Sequence, residues 1–244
     1  MRSVGTIIVV VGCCALSSAA LAQTDSDDPF RVWLMYFGDH RFDVDSKWGF
    51  HFDGQYRVNQ FGSGDEQLLL RPGINFDATD TLQLSGGYAF IRDAAANGFD
   101  VPEHRFWEQL ILRQRVGSVG LLHRYRFEQR LVGSKVPGPD GEGELDGYRY
   151  RNRFRYFLKA TIPVGSDGFY VGAYNELMLN FGTSVTDSVF DQNRSYVALG
   201  HSLGRAGNVE IGYLLQLNQS GTGGSVTKRH ILQVGFFSSA PISQ

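Results

Sequence analysis

From Tyr148 to Tyr156 the chain reads Tyr-Arg-Tyr-Arg-Asn-Arg-Phe-Arg-Tyr. On a β-strand this two-residue alternation places Arg149, Arg151, Arg153 and Arg155 on one face and the aromatics on the other. Similar alternation recurs in eleven segments, near Phe30 to Phe42, Lys47 to Gln60, Glu66 to Asp77, Thr81 to Arg92, His104 to Gly117, Val119 to Leu131, Gly147 to Pro163, Gly168 to Phe181, Phe190 to Gly204, Asn208 to Asn218 and Lys228 to Ser238. No amphipathic helix remains to cover the apolar faces, so lipid is the simplest cover. The pattern predicts an all-β fold, an antiparallel transmembrane β-barrel of 10 to 12 strands with apolar residues outside and polar ones inside. Phe154, Tyr156, Leu158, Val197, Leu199, Val209 and Ile211 are then expected outside, and Arg153, Arg155 and Arg194 inside.

Links at Asp77 to Thr81, Gly117 to Ser118, Val164 to Asp167 and Arg205 to Gly207 are short. Those at Asp93 to Glu103, Val132 to Asp146, Gly182 to Val189 and Gln219 to Thr227 are longer and rich in Gly, Asp and Ser. Short turns at one end and long loops at the other suit an outer-membrane barrel. An up-and-down barrel wants an even count, so either Phe30 to Phe42 stands outside the wall and leaves ten strands, or a twelfth is present. Pro72 lacks a donor in the middle of the third segment, and a bulge is expected at Pro72-Gly73.

The first residues specify the compartment. Arg2, an apolar run from Val4 to Val11 and Ala20-Leu21-Ala22 before Gln23 form a secretory signal over residues 1–22, leaving residues 23–244 as a single barrel domain. A membrane anchor or a lipoprotein box at Cys13 fits less well, because the apolar core is short and the Ala-Leu-Ala site is well placed. Cys13 and Cys14 leave with the signal, which excludes disulfides, thiolate metal sites and a cysteine nucleophile from the mature domain. The formal net charge of −2 gives no basic excess for nucleic acid. Expected partners are outer-membrane lipids, the barrel-assembly machinery and small anionic solutes. No cofactor is expected, and neither a catalytic nor a metal site is assigned.

Across most of residues 23–244 the sequence resembles the bacterial outer-membrane proteins of domain of unknown function family 2490. The resemblance rests on His104-Arg105-Phe106-Trp107-Glu108-Gln109-Leu110, Tyr125-Arg126-Phe127-Glu128-Gln129-Arg130, the Tyr/Arg run from 148 to 156, Asn175-Glu176-Leu177, Phe190-Asp191-Gln192-Asn193-Arg194 and Gly212-Tyr213. It implies an outer-membrane barrel and carries no reaction or ligand. Unlike many such barrels, the chain continues past Phe236-Phe237 with a tail from Ser238 to Gln244.

Parity carried through the turns gathers Arg113, Arg115, Arg124, Arg126, Arg130, Arg149, Arg151, Arg153, Arg155 and Arg194 on the inner face, with Glu128 and Glu176 among them. Guanidinium groups bind carboxylates and phosphates in bidentate fashion, so this ladder suits a channel or binding track for anionic solutes. The competing reading is a barrel plugged by the same arginines paired with acids. The expected role is structural or passive transport, with an outer-membrane lipid-modifying enzyme as the alternative and a soluble periplasmic β-protein third. For the enzyme, Ser195, His123 and His201 face outward, but Ser195 and His201 lie about 20 Å apart on one strand. Asp140, Glu142, Glu144 and Asp146 alternate in the longest loop without the spacing of a known calcium site.

Overall fold

The structure, a computed structural model, describes residues 30–59, 66–94, 100–138, 143–183, 185, 188–220 and 225–243. The segment 1–22, with Cys13 and Cys14, and the loop acids Asp140 and Glu142 lie outside the described residues. Eleven strands form one closed barrel: β1 (Arg31–Arg41), β2 (Trp48–Asn59), β3 (Glu66–Asp77), β4 (Leu82–Ala94), β5 (Asp100–Val116), β6 (Val119–Pro137), β7 (Gly143–Val164), β8 (Phe169–Phe181), β9 (Phe190–Ser202), β10 (Asn208–Ser220) and β11 (Ser225–Ser238). Among the described residues no helix is long and apolar enough to cross a membrane, which says nothing of crossing by strands.

Consecutive strands pair antiparallel, and the odd strand is accommodated by a parallel seam in which Arg31 to Gly38 of β1 run beside Ile231 to Ser238 of β11. Neither ten nor twelve strands form, since Phe30 to Phe42 does supply a wall strand and the parallel seam removes the need for a twelfth. The tail extends the seam. Backbone N–H groups of Ile242 and Ser243 donate to the carbonyls of Arg41 (2.9 Å) and Phe42 (3.2 Å), and His40 Nδ1 pairs with the Ala240 carbonyl at 2.7 Å.

Two local expectations change. Pro72 causes no bulge: the β3–β4 register is the same before and after it, Leu70 opposite Phe90 and Gly73 opposite Gly87, with the ladder interrupted only between them. The register instead shifts at Gly133/Lys135 and at Met178/Leu179. Room beside Pro72 comes from glycine. A Cβ on Gly73 would lie 2.4 Å from the Trp107 ring, and one on Gly87 would lie 2.3 Å from the Pro72 carbonyl oxygen. The link expected from Val132 to Asp146 is mostly strand, because alternation continues past the first shift and pairs Lys135 with Leu145 and Val136 with Glu144. At the tightest turn Gly117 takes φ +61°, as a two-residue hairpin loop requires.

Polarity is reversed relative to a protein folded in water. Phe106, Leu199 and Ile211 point outward at 56%, 53% and 53% exposure, whereas Arg126 and Glu128 inside are 0% and 1% exposed. The interior also holds two apolar clusters, Trp33 with Tyr196, Ala198, Leu214 and Ile231, and Leu69 with Ala89, Ile91 and Trp107.

Candidate functional site

Register explains why the arginines meet. Residues directly opposite in a pleated sheet point to the same face. Pairing of Arg126 with Arg155, Glu128 with Arg153, Arg130 with Arg151 and Glu176 with Arg194 therefore delivers all of them to one interior.

Glu128 is the hub. Its Oε2 accepts from Arg153 Nη2 at 2.5 Å and Nε at 2.8 Å, and its Oε1 accepts from Arg155 Nη1 at 2.8 Å. Arg71 and Arg105 approach the same carboxylate at 3.7 and 3.9 Å. Glu176 Oε1 accepts from Arg124 Nη2 at 2.8 Å and Arg155 Nη2 at 2.6 Å, with Arg194 at 3.5 Å from Oε2. Arg130 is held by Glu103 at 2.5 Å, and Arg153 Nη1 reaches Asp191 at 2.8 Å. Each acid thus bridges arginines from different strands, tying the wall together across its middle. Charge-assisted bonds of this kind are short and directional, and in a low-dielectric interior their loss leaves ions uncompensated.

Arg57 and Arg126 are treated differently. Arg126 donates to Gln109 Oε1 through Nε (2.9 Å) and Nη2 (2.6 Å), and its guanidinium lies 5.1 Å from the Trp107 ring. Arg57 donates to the amide oxygens of Gln55 and Gln67 and sits 3.9 Å over Trp33. Neither makes an ion pair among the described residues.

The ladder read from sequence is therefore divided. Arg124, Arg126, Arg130, Arg153, Arg155, Arg194, Glu128 and Glu176 share the middle of the barrel. Arg113 and the exposed Arg115 lie at the short-turn end, and the exposed Arg149 and half-buried Arg151 lie toward the long-loop end. Arg71, Arg105, Asp53, Glu103 and Asp191 join the network without having been singled out from sequence. Arg105 shares its parity with Arg113, so that signal was present; Glu103 lay in a stretch read as a loop. Glu144 and Asp146 are exposed on β7. Among the described residues no group of three or more His, Cys, Asp or Glu side chains could hold a metal ion.

The outward residues considered for hydrolysis do not meet. Ser195 Oγ accepts from Asn175 Nδ2 at 3.0 Å, His123 Nδ1 pairs with the Tyr156 hydroxyl at 2.9 Å, and His201 packs on Phe169 with ring centroids 4.5 Å apart.

The family model described as Protein of unknown function (DUF2490) matches residues 30–227. The chain belongs to the DUF2490 family. An uncharacterized protein of Methylorubrum extorquens is 26% identical over 239 residues, spanning 95% of this DUF2490 chain and 97% of its relative. Among solved structures, the β-domain of the Bordetella autotransporter BrkA is similar with a TM-score of 0.46 and 11% identity, over 77% of this chain and 82% of that one.

Proposed function

We propose that this DUF2490 protein is a bacterial outer-membrane β-barrel, exported through a signal cleaved after residue 22, whose role is structural and whose interior is held closed by ion pairs. The observation that carries this reading is the reversed polarity, with Phe106, Leu199 and Ile211 exposed outside and Arg126, Glu128, Arg153 and Glu176 buried within. Such a wall matches hydrocarbon outside and polar contacts inside. Its partners are outer-membrane lipids and the barrel-assembly machinery, with no role in binding nucleic acid. Ion pairs and the two apolar clusters both lie on the inner face of the wall, which supports the closed reading.

A second reading, a passive path for anions, is favoured by Arg57 and Arg126, whose charges meet amides and aromatic rings rather than carboxylates. A cation-lined interior favours anions. The lipid-modifying alternative has less support, since Ser195 is bonded to Asn175 and not to a histidine base.

Fractionation and planar-bilayer recording of the folded full chain distinguish these readings. The expected result is recovery with the outer membrane and no steady conductance. Leu199→Arg, on the outer wall, should lower stability in lipid by ~2 to 4 kcal/mol. Steady anion-selective current that falls in Arg126→Gln would overturn the closed barrel and establish the second reading. Recovery as a soluble protein would overturn both.

A further inference from the structure

At the short-turn end, below the ion-pair network, the mouth of the barrel holds an open cavity of about 600 Å³ lined in part by Arg113, Arg115, Lys159, Tyr170, Glu210 and Phe237. Its charges are unbalanced. Lys159 Nζ lies 2.5 Å from Glu210 Oε1, so the acid already has its counter-ion. Arg113 Nη2 donates only to the Gln83 amide oxygen at 3.3 Å, and Arg115 makes no ion pair among the described residues. Among the described residues, neither guanidinium has a carboxylate within ion-pair distance. They stand two residues apart on one face of β5, with Cα atoms about 7 Å apart, a spacing that suits two linked carboxylates.

Glu210 adds a second requirement. It is 2% exposed, and its Oε1 accepts from Lys159 and from the Tyr170 hydroxyl at 3.0 Å, while Oε2 is buried with no partner among the described residues. A buried carboxylate oxygen is costly until a donor reaches it. Phe237, 4.6 Å from Lys159 Nζ at its ring centroid, supplies an apolar wall beside this acceptor.

We propose that this cavity binds a small hydroxy-dicarboxylate, its carboxylates on Arg113 and Arg115 and its hydroxyl donating to Glu210 Oε2. The site does not depend on whether the barrel conducts; only the compartment it opens to, the periplasm, rests on the membrane reading.

Malate and succinate differ by one hydroxyl and are the probes, titrated by calorimetry into the full chain folded in detergent micelles. Saturable malate binding is expected, with succinate about tenfold weaker, as a hydrogen bond to a charged acceptor requires. Arg115→Gln changes an exposed residue and should weaken both ligands about tenfold without affecting the fold. Glu210→Gln exchanges the charged acceptor for a neutral amide and should narrow the malate-to-succinate ratio. If that buried substitution prevents folding, Arg115→Gln and the ratio in the parent decide the matter. Absence of saturable binding, equal affinity for the two ligands, or malate binding unchanged by Arg115→Gln would overturn the site. Bilayer recording answers the separate question of closure, so either proposal can fail without the other.

Discussion

The side of the interior lined by β5 to β8 carries the ion-pair network, which reaches Asp191 and Arg194 on β9, whereas the side lined by β9, β10, β11 and β1 carries the apolar cluster of Trp33, Tyr196, Ala198, Leu214 and Ile231. Both sit behind the same outward row of apolar residues. Alternation thus decides which side chains enter the barrel, but not how the space they enter is made stable. The charged side depends on completeness, because each carboxylate compensates several guanidinium groups at once. The apolar side depends on volume, and loses stability in proportion to what is removed.

Glu128→Gln should have the largest effect, about 3 to 5 kcal/mol of destabilisation, because Arg153 and Arg155 lose their shared counter-ion while buried. Denaturant titration of the folded barrel would measure it, and a loss below about 1 kcal/mol would show that the network tolerates a missing member. Leu214→Ala, at 0% exposure in the apolar cluster, should cost about 2 to 3 kcal/mol by the same titration and leave the charged side intact. A loss matching that of Glu128→Gln would erase the distinction between the two sides. The smallest effect belongs to Arg41→Gln, which breaks the exposed pair with Asp77 (2.9 Å); it should cost at most about 1 kcal/mol and shrink further in high salt. Identical arginine–carboxylate chemistry would then differ by its burial alone.

Strand positions were legible because the period of two is written along the chain, and β3 begins and ends where the alternation does. Inward and outward faces followed for the same reason, as Val197 and Leu199 outside and Arg153, Arg155 and Arg194 inside illustrate. The parallel seam was not legible, since the period gives strand faces and says nothing about which edges meet. Neither was the way Pro72 is absorbed, which depends on glycines in two strands and on Trp107 from a third. Within the site, parity collected arginines correctly but could not divide them by height, so residues at both mouths joined those in the middle. Its acids came from more distant strands, and Asp53 met Arg71 only once β2 and β3 were in register.

The odd strand number has a geometric outcome. Barrels with an even number of strands return the polypeptide to the side from which it entered the wall, and bacterial barrels ordinarily follow that arrangement. Here β1 and β11 run in the same direction: Arg31 lies beside Asn59 at the long-loop end, while Ser238 lies beside Gly38 at the short-turn end. The two ends of the barrel domain therefore emerge on opposite faces. The wall begins at Arg31 among the long loops and ends at Ser238 beside the short turns. One barrel in this way presents the two ends of its wall at two different mouths.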